Sequence, residues 1–211
     1  RFGGALSLDG VDDFVEVAHS DSLDFGTGSI TMAGWMKLNE SPGSGSEHDQ
    51  IMIGRTADGG DVWSARVLDN GGFRGGMQNG GSNFASTYTT VQGSTNFEDQ
   101  QWHHSVMVLD RDANMQHYYI DGVKVHTRSI NFGHDIDADI PLIIGADRGF
   151  RQFANGMIDD MALWNRSLTA VEVSYLFNNP LRSPTIPAPL AVFVIVPGLA
   201  WLASPRTLKQ P

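Results

Sequence analysis

Short runs in which apolar and polar residues alternate with a period of two recur along the first 179 residues of the chain. Such alternation is typical of β-strands with one buried face. The runs that show it, at least in part, are residues 14–17, 29–38 and 105–109, and residues 117–120, 141–144 and 157–164 are further short strand-like runs. Turn-forming sequences separate them, and Asp121-Gly122, between two apolar segments, predicts a two-residue hairpin. We therefore predict an all-β antiparallel sandwich, or jelly roll.

Residues 167–177 carry the one helical pattern that we identify. Ser167 or Thr169 can cap the helix, and Glu172 lies in its first turn. The predicted apolar stripe consists of Leu168, Val171, Tyr175 and Leu176. This pattern predicts a short helix after the last strand.

Composition and charge narrow the range of functions. The formal net charge is −10, which argues against nucleic acid as a partner, because phosphate binding requires a basic surface. The chain has no cysteine, which excludes a disulfide framework and a thiolate metal site. Its 41% apolar residues are enough for a core, and its 24 glycines indicate many turns.

The composition changes sharply at Pro180. Seven of the nine prolines lie at or beyond this residue, and no acidic residue follows Glu172. We therefore divide the chain into a β-sandwich domain (1–179), a proline-rich linker (180–187), an apolar segment (188–204) and a basic tail (205–211).

The apolar segment, residues 188–204, permits two interpretations. It is 17 residues long, close to the minimum for a membrane-spanning helix, and basic residues follow it. We expect a membrane anchor with a cytoplasmic C-terminus, which would place the domain outside the cytoplasm. The alternative is a strand that pairs with another subunit, because residues 192–196 are all β-branched or aromatic. The chain opens at Arg1 without a recognisable signal peptide, as expected of an exported protein whose leader has been removed.

Four segments, in order, resemble the laminin-G-like and pentraxin-like domains of the concanavalin A-like superfamily. They are residues 5–17, the Gly-Trp strand at 29–38, the Trp-His-His strand at 101–108 with the hairpin to residue 125, and residues 142–168. The resemblance covers residues 3–178 and implies a lectin-like sandwich. The tail is similar to exosortase-type sorting signals of Gram-negative bacteria, although its motif, Ile186-Pro-Ala-Pro189, lacks the usual glutamate.

The same resemblance implies a calcium site where the opening turn meets the last strand of the sandwich. It places Asp159 there, with Asp9, Gly10 and Asp12 contributing from the turn. Strand alternation puts Asp159 on the same face as Met161 and Leu163, where a carboxylate needs a partner or a metal. A hydrogen-bonded aspartate at a strand end is the alternative.

We interpret the other polar clusters as structural features or as additional metal-site candidates. His103 and His104 are adjacent on a strand and cannot hold one ion together, because their side chains take opposite faces. Additional calcium sites are possible around Asp110 and Asp112, or around Asp135, Asp137 and Asp139. No pair of acidic residues has the spacing that a glycosidase needs on the central strands, so we expect no catalysis.

A glycan ligand would need aromatic rings and hydrogen-bonding groups outside the core. The candidate ligand-binding residues are Trp63, Arg66, Tyr88, Arg148 and Phe150. We therefore expect a calcium-binding, lectin-like module that holds a glycan or a neighbouring protein, with homo-oligomerisation possible. The alternative is a purely structural subunit of a membrane complex or fibre.

Overall fold

The computed structural model describes residues 4–40, 49–57, 60–79, 85–87, 89–91, 95–147, 152–179 and 192–195. Within them lie fourteen strands: β1 (Leu6–Asp9), β2 (Val15–Val17), β3 (Ile30–Leu38), β4 (Gln50–Ala57), β5 (Gly60–Val67), β6 (Phe73–Asn79), β7 (Ala85–Ser86), β8 (Thr89–Val91), β9 (His103–Asp110), β10 (Met115–Ile120), β11 (Val123–Ser129), β12 (Leu142–Ile144), β13 (Asn155–Trp164) and β14 (Val192–Ile195). One 3-10 turn (Asp21–Leu23) and one helix, α1 (Ala170–Asn178), complete the elements.

The strands form two antiparallel sheets. Sheet 1 has the order β1-β13-β3-β9-β10-β11, with β14 beside β13, and sheet 2 has the order β2-β12-β4-β5-β6-β7, with β8 beside β6. The sheets enclose the main core, which includes Met36, Trp63, Phe73 and Met107. The predicted all-β sandwich is confirmed.

The predicted hairpin at Asp121-Gly122 is also present and joins β10 to β11. Both residues have positive φ, 50° and 77°, as a two-residue turn of this kind requires. The Cβ that an alanine would add at Gly122 would lie 2.9 Å from Cδ1 of Phe177, so the turn also supports α1 closely.

Helix α1 lies on the outer face of sheet 1, where it forms a second, smaller apolar cluster. A capping box begins the helix: the Thr169 amide donates to Glu172 Oε2 (2.8 Å), and the Glu172 amide donates to Thr169 Oγ1 (3.3 Å). The predicted apolar stripe is correct for Leu168 and Leu176 but wrong for Val171 and Tyr175, which are exposed. Val173 is buried instead, and its cluster contains Ala33, Val106, Val108, Tyr119, Ala162, Trp164, Leu168 and Leu176.

Part of the predicted anchor segment is described. Val192–Ile195 form β14, antiparallel to β13, with Ile195 opposite Met161 and Val192 opposite Trp164. These four residues are extended, and the anchor predicted for residues 188–204 as a whole stays a prediction. The rest of residues 188–204 lies outside the described residues. Among the described residues, no helix combines the length and apolar character required to cross a bilayer.

Candidate functional site

The opening turn brings three carboxylates together. Asp9 ends β1, and Asp12 and Asp13 follow Gly10, whose φ of +79° turns the chain. One carboxylate oxygen from each of the three aspartates lies within 4.8 Å of the others. Asp9 and Asp12 of the predicted site thus lie close together, Asp13, which was not among the predicted residues, lies beside them, and calcium binding by this turn stays a prediction.

Hydrogen bonds within the turn hold these side chains in place. Asp9 Oδ1 accepts the amide of Val11 (2.8 Å) and that of Asp12 (3.4 Å), and Asp13 Oδ2 accepts the amide of Asp9 (3.0 Å). Carboxylate oxygens are the hard ligands that calcium prefers, but calcium takes six to eight oxygens. The cluster therefore fits part of a calcium shell, and water would have to complete it.

Asp159 does not join this cluster. Asp9 lies opposite Asn155 on β13, whereas Asp159 is four residues further along that strand, opposite Trp35 of β3. Four residues of extended strand span about 13 Å. Asp159 therefore cannot ligate the same ion as Asp9, and the four-residue site implied by the resemblance is corrected.

A β-bulge explains why the face of Asp159 was predicted wrongly. Asp160 has φ +50°, and the register between β13 and β3 shifts by one residue between Asp159 and Ala162. Met161 therefore turns into the main core, where its Sδ leaves no room for a Cβ at Gly34. Asp159 instead shares the outer face of sheet 1 with Trp35, and its Oδ1 accepts the amide of Asp160 (2.9 Å).

A second cluster, His19, Asp21 and Asp24, was not predicted from the sequence. Arg55 contacts it directly: its guanidinium donates to Asp24 Oδ1 (3.1 Å) and lies 3.1 Å from His19 Nδ1. This buried positive charge opposes a second cation, so we interpret the cluster as structural.

The other acidic loops make hydrogen bonds within the fold. Asp137 Oδ1 accepts the amide of Gly26 (2.6 Å), and Asp135 Oδ1 accepts that of Asp137 (2.8 Å). Asp110 Oδ1 accepts the amide of Ala113 (2.9 Å). Among the described residues, neither loop brings three potential metal ligands together.

The predicted ligand-binding residues separate into three groups. Trp63 is fully buried between the sheets, so its prediction as a ligand platform is wrong. Arg66 lies on the outer face of sheet 2, because its neighbours in the strand alternation, Ala65 and Val67, point into the core. Tyr88, Arg148 and Phe150 lie outside the described residues.

Arg66 belongs to a row of polar residues that crosses the outer face of sheet 2. Its guanidinium donates to Ser64 Oγ (3.1 Å) and to Gln152 Oε1 (3.3 Å). Arg74 lies opposite Arg66 on β6, and Thr90 lies opposite Arg74 on β8. We call Ser64, Arg66, Arg74, Thr90 and Gln152 the polar strip.

Asp49 anchors one end of the polar strip. Its Oδ2 lies 3.8 Å from Arg66 Nη1, and its side chain is 3% exposed. Burial raises the pKa of Asp49, and the positive charge of Arg66 opposes this rise. The carboxylate therefore depends on Arg66 for compensation, which fixes the Arg66 side chain against the sheet.

A hairpin between β12 and β13 brings Gln152 over the polar strip. Its base is closed by hydrogen bonds from the Ala154 amide to the Gly145 carbonyl (2.7 Å) and from the Asp147 amide to the Gln152 carbonyl (3.0 Å). The intervening residues 148–151 lie outside the described residues and include two of the predicted ligand-binding residues. Arg66 and the base of this hairpin, which are distant in the sequence, are therefore neighbours in space.

His103 and His104 take opposite faces of sheet 1, as predicted. His103 Nδ1 lies 2.8 Å from Asp121 Oδ2, and its Nε2 lies 3.2 Å from Asp99 Oδ1. His104 is buried against Trp35 and Phe177, at ring-centroid distances of 5.1 and 6.1 Å. The two imidazoles therefore do not form a joint metal site.

Comparisons with known proteins support the same fold. The sequence model of the concanavalin A-like lectin/glucanases superfamily matches residues 9–174. No curated protein matches significantly. The structure is similar to the binding domain of Paraclostridial Mosquitocidal Protein 1, with 19% identity and a TM-score of 0.60, over 83% of this chain and 45% of that chain.

Two further structures extend the comparison. The heptameric SAP-like pentraxin of Limulus polyphemus shares 17% identity with a TM-score of 0.55, over 88% of this chain and 96% of that chain. The binding domain of botulinum neurotoxin DC, solved in complex with SialylT, shares 14% identity with a TM-score of 0.56, over 78% of this chain and 39% of that chain. The chain thus spans less than half of both toxin chains, and these low identities indicate the fold alone.

Proposed function

Because the chain belongs to the concanavalin A-like lectin/glucanases superfamily, we propose that it is a non-catalytic module that binds a glycan at the polar strip of sheet 2. The observation that carries this proposal is the contrast between the two outer faces of the sandwich. Helix α1 and an apolar cluster cover the outer face of sheet 1. The outer face of sheet 2 presents hydrogen-bonding side chains beside a hairpin.

The chemistry of the polar strip suits a sugar. Sugar hydroxyls both donate and accept hydrogen bonds, so a sugar site needs donors and acceptors side by side. Arg66 and Arg74 donate, and Gln152 and Thr90 can do both. The ion pair with Asp49 holds Arg66 in one orientation before a ligand arrives, which lowers the entropic cost of binding.

The structural relatives support a glycan as the ligand. The botulinum neurotoxin domain was solved with SialylT, and the entry of botulinum neurotoxin type C into cells is described as dependent on two ganglioside molecules. Both structures share this fold, and their described interactions support a binding role here rather than a structural role alone.

The burial of the carboxylate nearest the polar strip supports the proposed non-catalytic role. Glycoside hydrolysis needs two carboxyl groups about 5 to 9.5 Å apart, flanking the scissile bond. Asp49 is 3% exposed at its side chain and its Oδ2 lies 3.8 Å from Arg66 Nη1, an arrangement that suits a structural ion pair rather than a group that reaches a substrate. We expect no turnover of β-glucans or galactans, and turnover that disappears when one acidic residue is replaced would contradict this.

The binding proposal is tested with a panel of immobilised neutral and acidic glycans. Arg74→Gln removes a charged donor from the half-exposed part of the polar strip and should weaken binding of the best glycan about tenfold, the effect of losing roughly 1.4 kcal/mol. The matched control is Lys124→Gln, which removes a charge from the exposed edge strand β11 of sheet 1. Unchanged affinity in Arg74→Gln, or an equal loss in both variants, would refute the location of the site.

We also propose that Asp9, Asp12 and Asp13 bind calcium weakly and stabilise the opening turn. Sites with few protein oxygens typically have millimolar dissociation constants. With 10 mM calcium and such a site, the expected stabilisation is about 1.4 kcal/mol, or a rise in Tm of roughly 3 °C over the chelated protein. Asp12→Asn should abolish the rise, whereas Asp112→Asn should retain it. Equal Tm values in calcium and in chelator would exclude the site.

A further inference from the structure

His104 lies in an apolar slot beneath the last turn of α1. His104 is 3% exposed, and the centroid of its ring lies 5.1 Å from that of Trp35 and 6.1 Å from that of Phe177. Its Nδ1 is buried and has no hydrogen-bond partner among the described residues. A charged imidazolium needs acceptors for both ring N–H groups, so this slot suits only the neutral ring.

Among the described residues, the charged groups around this slot do not provide an acceptor for the His104 ring. Asp121, in the β10–β11 turn, accepts the backbone amide of His104 with Oδ1 (2.9 Å) and contacts His103 with Oδ2 (2.8 Å). On β13, Asp159 faces the same side of the sheet, but β3 and the Trp35 ring lie between it and His104. On β11, Lys124 lies over the Tyr119 ring at 5.4 Å.

Burial is therefore the main cause of the shift in the pKa of His104. It lowers the pKa of the imidazole to about 4, against the opposing effect of the Asp121 carboxylate. The folded state disfavours protonation of His104. The folded protein is therefore most stable above pH 6.5, the ordinary pKa of histidine. This contribution is lost as the pH falls from 6.5 towards 4.

The two ends of α1 respond differently in this pH range. At the first turn, the hydrogen bond from Arg166 (2.7 Å) is the main cause that lowers the pKa of Glu172 to about 2, so the capping box keeps its charge. Phe177 holds the last turn, because its ring stacks on that of Trp35 with a centroid distance of 5.6 Å and an interplanar angle of 20°. This stack lies directly beside His104. Acid therefore acts on the last turn and leaves the first turn capped.

We propose that the last turn of α1 is an acid-released cover: protonation of His104 displaces Phe177 and exposes Trp35 on the outer face of sheet 1. The exposed surface would be apolar, because Trp35 adjoins the cluster that α1 covers. The module would then present a second surface in acidic surroundings, independent of the polar strip on the opposite sheet.

Amide hydrogen exchange, corrected for the intrinsic effect of pH, tests the proposal. In the full chain, opening of residues 175–178 should increase about 70-fold between pH 7.5 and pH 4.5, from pKa values of 6.5 and about 4. Residues 171–173, near the capping box, should change much less. His104→Phe keeps an aromatic ring without a titrating group, and its last turn should stay protected at both pH values. The control His134→Phe, at an exposed loop position, should behave like the wild type.

Three results would overturn the proposal. One is equal protection of residues 175–178 at both pH values in the wild type, which would mean that the aromatic rings stabilise the imidazolium in place. Another is the same acid-induced opening in His104→Phe. If that variant fails to fold at pH 7.5, NMR titration of the His104 ring in the wild type decides. A midpoint near 4 that coincides with helix opening supports the proposal, and a midpoint near 6.5 refutes it.

Discussion

Replacing Arg55 should destabilise the domain more than any exposed substitution, because this buried cation connects two loops. Its guanidinium is fully buried on β4 and donates to the carbonyls of Leu23 (2.6 Å), Ile140 (3.2 Å) and Ala138. It also donates to Asp24 Oδ1 (3.1 Å). The side chain thereby joins the segment before β3 to the segment before β12 at one end of the sandwich.

The expected loss of unfolding free energy follows from the acceptors that Arg55→Met would leave without a donor. Methionine preserves most of the volume but donates no hydrogen bond, so up to three carbonyls and one carboxylate lose a charged donor. Each buried acceptor left unpaired costs about 1–3 kcal/mol, and breaking a buried ion pair costs about 3–5 kcal/mol. The Asp24 side chain is 26% exposed and can regain water, which places the expected loss near the lower end, at about 3 kcal/mol.

Urea denaturation followed by circular dichroism measures this loss. A domain of this kind has a total stability of about 5–15 kcal/mol, so a loss of 3 kcal/mol shifts the midpoint clearly. Arg55→Lys should lose less, because it retains the charge but not the planar fork. The control Lys124→Met, on the exposed edge strand, should stay within about 0.5 kcal/mol of the wild type. A loss below about 1 kcal/mol in Arg55→Met would show that water or rearranged loops replace the guanidinium.

Three further predictions concern α1 and the chain beyond it. Gly122→Ala should cost about 1–2 kcal/mol in urea denaturation, because alanine disfavours the +77° φ and its Cβ would press on Phe177. Glu172→Ala should cost about 1 kcal/mol by the same assay, and the wild type should lose this contribution only as the pH falls from 4.5 towards 2, because the pKa of Glu172 is lowered. A chain that ends at Asn179 should keep its β-type circular dichroism, since both sheets are otherwise complete before that residue; loss of this signal would make the tail part of the core.

The sequence predicted local elements well where one side-chain pattern decides the backbone. The hairpin at Asp121-Gly122 forms because two positive φ angles suit these residues. The helix begins at the predicted cap because Thr169 and Glu172 satisfy each other's amides. Both features depend on residues close in the chain, so no knowledge of the tertiary structure was needed.

The position of Asp159 was predicted wrongly because it depends on strand register, and calcium binding itself stays a prediction. Strict alternation from Met157 to Trp164 would place Asp159 with Met161, but one bulge residue at Asp160 reverses the phase. A bulge in an otherwise regular strand leaves no reliable mark in the sequence, since the residue with φ +50° is an aspartate rather than a glycine. Asp13 was missed for another reason: its role is to accept the amide of Asp9, a contact that only the folded turn reveals.

Which outer face of the sandwich is open can be read from the strands themselves. In β9, residues 105–109 are buried on both faces, because their outward side chains, such as Val106 and Val108, pack beneath α1. In β5, the outward residues Ser64 and Arg66 are polar, although Ser64 is fully buried and the Arg66 side chain is 12% exposed. A nine-residue helix is only about 13 Å long and can cover one face of one sheet. Among the described residues, no helix covers the outer face of sheet 2, where the polar strip forms and where we propose that a glycan binds.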